Sequence, residues 1–207
     1  MSKKIKYKIH NFPQRSEEWY TIRRGRMTAS NAQAIGNNGK GLDTYCYELA
    51  AEMLTKTFQS PEITEDMQRG IDLENEARGL FEIETGKSVK EIGFASYEEY
   101  AGCSPDGLID EENALLEIKC PNNINYIKLL SGINIDSKYI WQIQMQMAIL
   151  GRDKTYFVAY NPNFEKSLFI KVIESDKDKQ DSIFKGIEAG KKKIKEIIKK
   201  TEEIKCK

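Results

Sequence analysis

The sequence predicts an α/β protein in which helices flank a central mixed β-sheet of about five strands. Three observations lead to this prediction. A long helical pattern precedes Gly86, a hairpin pattern follows it, and two apolar strand patterns lie near the end of the chain. Hydrophobic residues make up 40% of the chain, which is enough to form a core.

The first half of the chain is predicted to be helical. Ser16 suits an N-cap, with acids at the next two positions, and Gly25 and Gly86 suit the position just after a helix end. The stretch "GNNGKG" is predicted as a loop and lacks the spacing of a phosphate-binding P-loop. The predicted helices are 16–24, 28–36, 43–56 and, after Pro61, 65–85.

The second half alternates strand and helix patterns. The predicted strands are 87–96, 101–110 and 113–120 (turned by "DEEN"), 154–160 and 167–174. The predicted helices are 122–130, 138–150 and a lysine-rich one over about 176–205. We expect one domain over residues 1–207, with a core over about 16–174.

The amino-acid composition argues against several classes of catalytic mechanism. The 32 basic and 32 acidic residues balance, so a contact with nucleic acid must come from local patches such as "RRGR". The single histidine, His10, excludes a multi-histidine metal site and makes a histidine-centred triad a poor explanation. The four cysteines form no C-x-x-C pair and are expected as reduced thiols. No apolar run approaches the ~20 residues of a membrane span, so we expect a cytoplasmic protein.

The hairpin "CSPDGLIDEENALLEIKCP" carries the strongest chemical pattern. Side chains alternate along a strand, so Glu117 and Lys119 share one face while Leu116 and Ile118 share the core face. We expect Asp106 at a bend near the same solvated mouth, where two carboxylates and a lysine suit metal-assisted phosphodiester hydrolysis. A surface salt bridge between neighbouring strands is the alternative, because such pairs are common on hairpins.

Two helices add candidates to this site. Glu74 lies between apolar residues of the 65–85 helix, either pairing with Arg78 at i+4 or supplying a third carboxylate. The segment "YIWQIQMQMAIL" places Gln142, Gln144 and Gln146 in an otherwise apolar helix. We expect at least one of the last two on a solvated face, and Gln142 to bind the attacking water or a phosphate oxygen.

These segments resemble a known family. "WYTIRRGRMTASNA", "RGIDLENEAR", "SPDG…LEIKCP" and "WQIQMQM" together look like lambda exonuclease and the YqaJ-type viral recombinases, of the PD-(D/E)xK nuclease superfamily. The resemblance covers roughly residues 16–174 and implies a restriction-endonuclease-like core. Four motifs in order are more specific than any one of them.

The resemblance also implies roles. Asp106, Glu117, the Ile118 carbonyl and Glu74 would hold Mg²⁺, with two ions expected and Mn²⁺ able to substitute. Lys119 would be the catalytic lysine, and Gln142 would match the first glutamine of the family's helix. A second set would hold a 5′-phosphate: Arg23, Ser30 and Ser104.

The implied function is a Mg²⁺-dependent 5′→3′ exonuclease acting on 5′-phosphorylated ends of linear double-stranded DNA. By resemblance, the partners are a ring-shaped homotrimer of the chain and a single-strand annealing protein, in a phage or prophage recombination system in the bacterial cytosol. Two alternatives stay open: a structure- or sequence-specific endonuclease, and a non-catalytic nuclease-like module that binds DNA or a partner.

Overall fold

The computed structural model describes residues 7–55 and 63–205, which form an α/β fold. Lys56, Pro61, Cys206 and the first six residues, which enter the predictions above, lie outside the described residues. The strands are β1 Tyr7–His10, β2 Met27–Thr28, β3 Phe94–Tyr97, β4 Ala101–Cys103, β5 Gly107–Ile109, β6 Ala114–Lys119, β7 Lys154–Tyr160 and β8 Leu168–Glu174. The helices are α1 Glu17–Arg23, α2 Ala32–Asn37, α3 Lys40–Leu54, α4 Glu65–Thr85, α5 Asn123–Leu130, α6 Ser137–Leu150 and α7 Lys177–Lys205.

The described strands form two mixed sheets of four rather than one sheet of about five. The first has the order β1-β3-β4-β2, and the second has the order β5-β6-β7-β8. In the second sheet β6 and β7 run parallel, while β5 and β8 pair antiparallel at the two edges. The mixed α/β class is therefore confirmed, and the strand count is corrected.

The extra sheet arises where the predicted strand 101–110 divides. Pro105 has no N–H to give to a ladder, and the chain bends there. Cys103 consequently pairs with Ala95 in the first sheet, whereas Gly107 pairs with Leu116 in the second. The predicted turn at "DEEN" is a 3₁₀ turn that ends at Asn113 in the left-handed conformation. The division of the chain at Pro105 places Asp106 at the junction of the two sheets.

Helices cover both faces of the second sheet. Leu116 and Ile118 of β6 pack in one core with Phe81 of α4, and Leu115 and Phe157 belong to a larger core that includes α6. Both faces of β6 are therefore buried, and the polar face predicted for Glu117 lies against α6 instead of solvent.

Helix ends follow local signals where these exist. Ser16 accepts the Trp19 amide, Gly25 and Gly86 have positive φ angles, and Asn122 caps α5. The predicted helix 28–36 is wrong at its start, because Thr28 belongs to β2 and donates its amide to a tyrosine hydroxyl.

Tertiary contacts displace three other predicted boundaries. Gly36 lies inside α2, where the Trp141 ring occupies the space of a β-carbon, and the helix ends at Asn37 with Asn38 as its left-handed C-cap. Helix α3 begins at Lys40, three residues before the predicted Asp43. Of the predicted strand 87–96, only β3 and a single bridge at Lys90 form.

Cys46, Cys103 and Cys120 are free thiols, as the sequence predicts. Within the described ranges, no helix combines the length and apolar character needed to cross a bilayer. The lysine-rich α7 packs on α2 and α3.

Candidate active site

A cleft of about 780 Å³ opens between α4, α5, α6 and the end of β6. We call it the acidic cleft. It brings together all six predicted residues of the metal and catalytic set, and they are Glu74, Asp106, Glu117, Ile118, Lys119 and Gln142.

Asp106 occupies the bend between the two sheets. Its amide donates to the Leu116 carbonyl at 3.1 Å, and its Oδ2 accepts the Ile118 amide at 2.6 Å. Burial, and then the negative charges of Glu117 and Glu74, raise the pKa of Asp106 well above its ordinary value. Glu117 and Glu74 are therefore both close enough to Asp106 to repel its negative charge.

Glu117 lies at the floor of the cleft and is 1% exposed. Its Oε1 accepts from Lys119 Nζ and from Gln142 Nε2, both at 2.5 Å. Its Oε2 accepts from Gln146 Nε2 at 2.7 Å. Glu117 therefore faces the cleft but is shielded from solvent, because α6 packs over the polar face of β6.

Lys119 extends past Glu117 into the cleft, and its Nζ lies 5.0 Å from the centre of the Tyr139 ring. Burial acts to lower the pKa of Lys119, but the charges of Glu117 and Asp106 outweigh it and raise the pKa. The side chain is therefore an ammonium at neutral pH. It is placed to stabilise negative charge that develops in the cleft.

Glu74 is bound by two arginines. Its Oε1 accepts from Arg78 at 2.9 Å, which is the i+4 pair, and its Oε2 accepts from Arg15 at 2.7 Å. Arg15 has a positive φ of 69° and follows Gln14, whose amide donates to the carbonyls of Ile92 and Pro105. The predicted pair with Arg78 is therefore confirmed, and Glu74 also lines the acidic cleft, where its role as a third carboxylate stays a prediction.

The donor set fits a hard divalent cation. Mg²⁺ binds through one or two carboxylates and keeps several waters, and Asp106 and Glu117 with the Ile118 carbonyl are such oxygen donors. The mutual repulsion at Asp106 is relieved by a cation. Across the described residues no three acidic, histidine or cysteine side chains form a preformed cage, in keeping with arginines holding Glu74.

The glutamines of α6 differ from the prediction. Gln144 and Gln146 are both buried, at 1% and 0% exposure, so neither lies on a solvated face. Gln144 donates to the Glu174 carbonyl and accepts the Asp176 amide, which ties α6 to the junction of β8 and α7. Gln146 faces Glu117. Its i+4 spacing from Gln142 was the sequence signal that could have revealed it, because such residues share a helix face.

A second cleft, also about 780 Å³, is lined by Arg23, Arg24 and Arg26 together with Ser30. We call it the arginine cleft. The guanidinium carbon of Arg23 lies 4.0 Å from the centre of the Trp19 ring, and burial lowers the pKa of Arg23. In the described part of the chain Arg23 forms no ion pair, whereas Arg24 donates to backbone carbonyls of Glu52 and Thr55.

Ser104 contacts the side chain of Trp19, on whose ring Arg23 lies. Its hydroxyl accepts from Trp19 Nε1 at 2.9 Å and donates to the Gly93 carbonyl at 2.8 Å. Ser104 does not appear among the described residues that line the arginine cleft. Its contact is with Trp19, so it supports the wall of the cleft.

The two clefts adjoin. Arg15, Met67 and Ile71 line both, so a ligand in one cleft can extend into the other. Arg15 was not among the sequence candidates, because nothing local indicates that it reaches Glu74, which is 59 positions away.

The mixed sheets, with Asp106 at a bend and Glu117 and Lys119 alternating on the next strand, define a restriction-endonuclease-like core. Residues 18–153 match the family described as the YqaJ-like viral recombinase domain, and the chain belongs to that family. No curated protein sequence matches the chain.

Solved structures share this fold. An alkaline exonuclease (LHK-Exo) from Laribacter hongkongensis is 33% identical, with a TM-score of 0.84. The same protein in complex with dAMP is 31% identical, with a TM-score of 0.83. Each covers 92% of this chain and 98% of the other. A phage-related exonuclease from Haemophilus somnus 129PT, 15% identical over 88% of this chain and 99% of the other with a TM-score of 0.64, shows the fold alone.

Proposed function

We propose that the chain is a Mg²⁺-dependent exonuclease that degrades one strand of linear double-stranded DNA in the 5′→3′ direction. The observation that carries the proposal is the convergence of Asp106, Glu117, Lys119 and Gln142 in one cleft. The likeness to an alkaline exonuclease, which extends over nearly the whole of both chains, supports the same activity.

Each side chain has a task that follows from its environment. Asp106 and Glu117, with the Ile118 carbonyl and Glu74, would hold Mg²⁺, which supplies Lewis-acid polarisation of the phosphoryl group. Lys119 stays protonated beside Glu117, so it stabilises charge that develops on the phosphate oxygens. Gln142 lines the cleft and can orient a water or a phosphate oxygen once its amide leaves Glu117.

The arginine cleft supplies the preference for an end. A terminal phosphate carries about 1.5–2 negative charges, whereas an internal diester carries about one. Arg23 is a partly buried cation without an ion pair among the described residues, and Ser30 adds a hydroxyl at the same cleft. A 5′-phosphate bound there would leave the adjoining diester near the acidic cleft, because the clefts share a wall.

The experiment compares three duplexes in Mg²⁺: a linear one with 5′-phosphates, a linear one with 5′-hydroxyls, and a closed circle. We expect rapid release of mononucleotides from the 5′-phosphorylated duplex, slower release from the 5′-hydroxyl duplex and no cutting of the closed circle. Excess EDTA should stop all cleavage. Brisk cutting of the circle would instead favour the endonuclease alternative, and no cleavage of any duplex would favour a non-catalytic module.

The family suggests the setting of this activity. We propose that the chain assembles as a ring-shaped trimer and passes the surviving strand to a single-strand annealing protein in phage-type recombination. Light scattering coupled to size-exclusion chromatography measures the mass of the assembly. A protein that stays monomeric at micromolar concentration when it is bound to DNA would argue against the ring.

A further inference from the structure

Gln146 is a buried amide in an apolar part of α6. Its neighbours Met145, Met147 and Ile149 are at most 1% exposed, and Gln146 itself is 0% exposed. Its Oε1 has no hydrogen-bond partner among the described residues. Burying an unpaired polar atom costs free energy, so packing alone would favour a methionine here, as at the positions on either side.

The other end of the same amide explains the glutamine. Gln146 Nε2 donates to Glu117 Oε2 at 2.7 Å, and Gln142, one helical turn earlier, donates to Oε1 at 2.5 Å. Gln142 and Lys119 line the acidic cleft, whereas Gln146 does not. Oε1 is therefore the oxygen on the cleft side of Glu117, and Oε2 is the inner oxygen.

We propose that Gln146 is a positioning residue that fixes the Glu117 carboxylate for metal binding. The proposal rests on the function proposed above, because it takes Glu117 as a metal ligand. With Oε2 tied to a rigid helix, the carboxylate keeps one orientation, and Oε1 stays directed at the cleft when Gln142 and Lys119 turn to the substrate.

The chemistry of an amide suits this task. A lysine or arginine at this position would also satisfy Oε2, but its positive charge would repel the cation and offset the charge that attracts it. An amide donates a hydrogen bond while it leaves the full negative charge on Glu117. Groups that hydrogen-bond metal ligands in this way affect metal affinity as well as ligand orientation.

The chain offers a matched control on the same helix. Gln144 is as buried as Gln146, but its partners are the Glu174 carbonyl, the Asp176 amide and the side-chain amide of Gln180. Gln144→Met and Gln146→Met both remove one buried amide from α6, so both should lower the melting temperature. Only the second removes a contact with Glu117.

The test is calorimetric titration of Mn²⁺ into the protein without DNA. Gln146→Met should bind Mn²⁺ about 10–100-fold more weakly than the parent, the usual effect of losing a group that supports a metal ligand. Gln144→Met should bind Mn²⁺ as the parent does, in spite of its lower melting temperature. If Gln146→Met does not fold, Gln146→Asn keeps an amide that is one carbon too short to reach and should show the same loss.

The Glu117→Gln variant distinguishes a failure of the role proposed for Gln146 from a failure of the proposed function. If that variant binds Mn²⁺ as tightly as the parent, the metal site of the proposed function is wrong. If Glu117→Gln loses Mn²⁺ while the Gln146 variant binds like the parent, only the role of Gln146 is overturned. Equal losses of affinity in the Gln144 and Gln146 variants would also overturn it, because the effect would then come from a general loosening of α6.

Discussion

In the acidic cleft the three candidate metal-binding carboxylates are already bound by donors, whereas in the arginine cleft Arg23 has no ion pair among the described residues. The acidic cleft is built on β6 and α6, whose side chains are fixed by packing on both faces of a sheet. The arginine cleft is built from the short α1, the two-residue β2 and the C-terminal half of α3.

This difference indicates that the two clefts bind different kinds of ligand. A set of carboxylates on rigid elements suits a cation whose ligands must be held within fractions of an ångström. A partly buried arginine beside an aromatic ring suits an anion that arrives, is released and is replaced by the next one. Variants that should disable one cleft and spare the other test whether the two roles are separate.

The largest effect is expected for Asp106→Asn. Because a metal ion contributes several kcal/mol to transition-state stabilisation, its loss should lower cleavage by at least about 10³-fold. Asparagine is chosen over alanine because Asp106 is half-buried and its side chain accepts the Ile118 amide, which alanine would leave unpaired. Single-turnover rates measure the loss.

The matching readout is affinity for a short 5′-phosphorylated duplex, measured by fluorescence anisotropy. It should change little in Asp106→Asn, since the arginine cleft is untouched. A variant that cleaves within tenfold of the parent rate would remove Asp106 from the metal site.

Lys119→Ala is expected to lower kcat by about 10²–10³, the usual effect of losing one electrostatic donor. DNA affinity should stay close to that of the parent, because the charge acts mainly in the transition state. Lys138→Ala is the control: its Nζ lies 4.9 Å from the same Tyr139 ring, but it has no contact with Glu117 in the described structure. A Lys119 variant with weak binding and a normal single-turnover rate would identify a phosphate anchor.

Arg23→Ala tests the other cleft. Hydrogen bonds to charged groups contribute about 1.5–3 kcal/mol, so the initial rate on 5′-phosphorylated ends should fall roughly 10–100-fold. The rate on 5′-hydroxyl ends should fall far less. Arg24→Ala is the control, because Arg24 lines the same cleft but is bound to backbone carbonyls. Equal losses of rate on both kinds of end would identify Arg23 as a general DNA contact. A loss in Arg24→Ala that is confined to 5′-phosphorylated ends would identify Arg24 instead as the residue that binds the 5′-phosphate.

The smallest effect concerns Glu112, which lies outside both clefts. Hydrogen bonds from Lys154, then Lys87 and Tyr156, lower the pKa of Glu112 to about 2. Since the folded pKa lies below the ordinary one, this stabilisation is present above about pH 4.5 and is lost as the pH falls toward 2. Glu112→Gln should therefore lower Tm more at pH 6 than at pH 3 and leave nuclease activity unchanged. A pH-independent difference in Tm would show that the charge is not the cause.

Local signals in the sequence account for much of the fold. Ser16, Gly86 and Asn122 end or begin helices through their own side chains or φ angles, so their roles are visible without tertiary information. The order Asp106, Glu117 and Lys119 likewise indicates one hairpin, because a turn and strand alternation are short-range properties.

Contacts between distant residues account for what the sequence did not reveal. The division of the chain at Pro105 into two sheets depends on where Cys103 and Gly107 find partner strands. The burial of Gln146 depends on α6 packing over Glu117. The hydrophobic pattern within one segment does not indicate which distant residues it will contact. The second sheet and the contact between Gln146 and Glu117 therefore could not be predicted from the sequence.

Binding of the cation in the acidic cleft and of the 5′-phosphate in the arginine cleft is tested most directly by a crystal structure of the Lys119→Ala protein with Mn²⁺ and a short 5′-phosphorylated duplex, read through anomalous scattering. We expect a Mn²⁺ peak within coordination distance of Asp106 and Glu117, and the terminal phosphate against Arg23. A Mn²⁺ peak elsewhere, or a terminal phosphate seated in the acidic cleft with Arg23 unoccupied, would contradict this assignment of the two clefts.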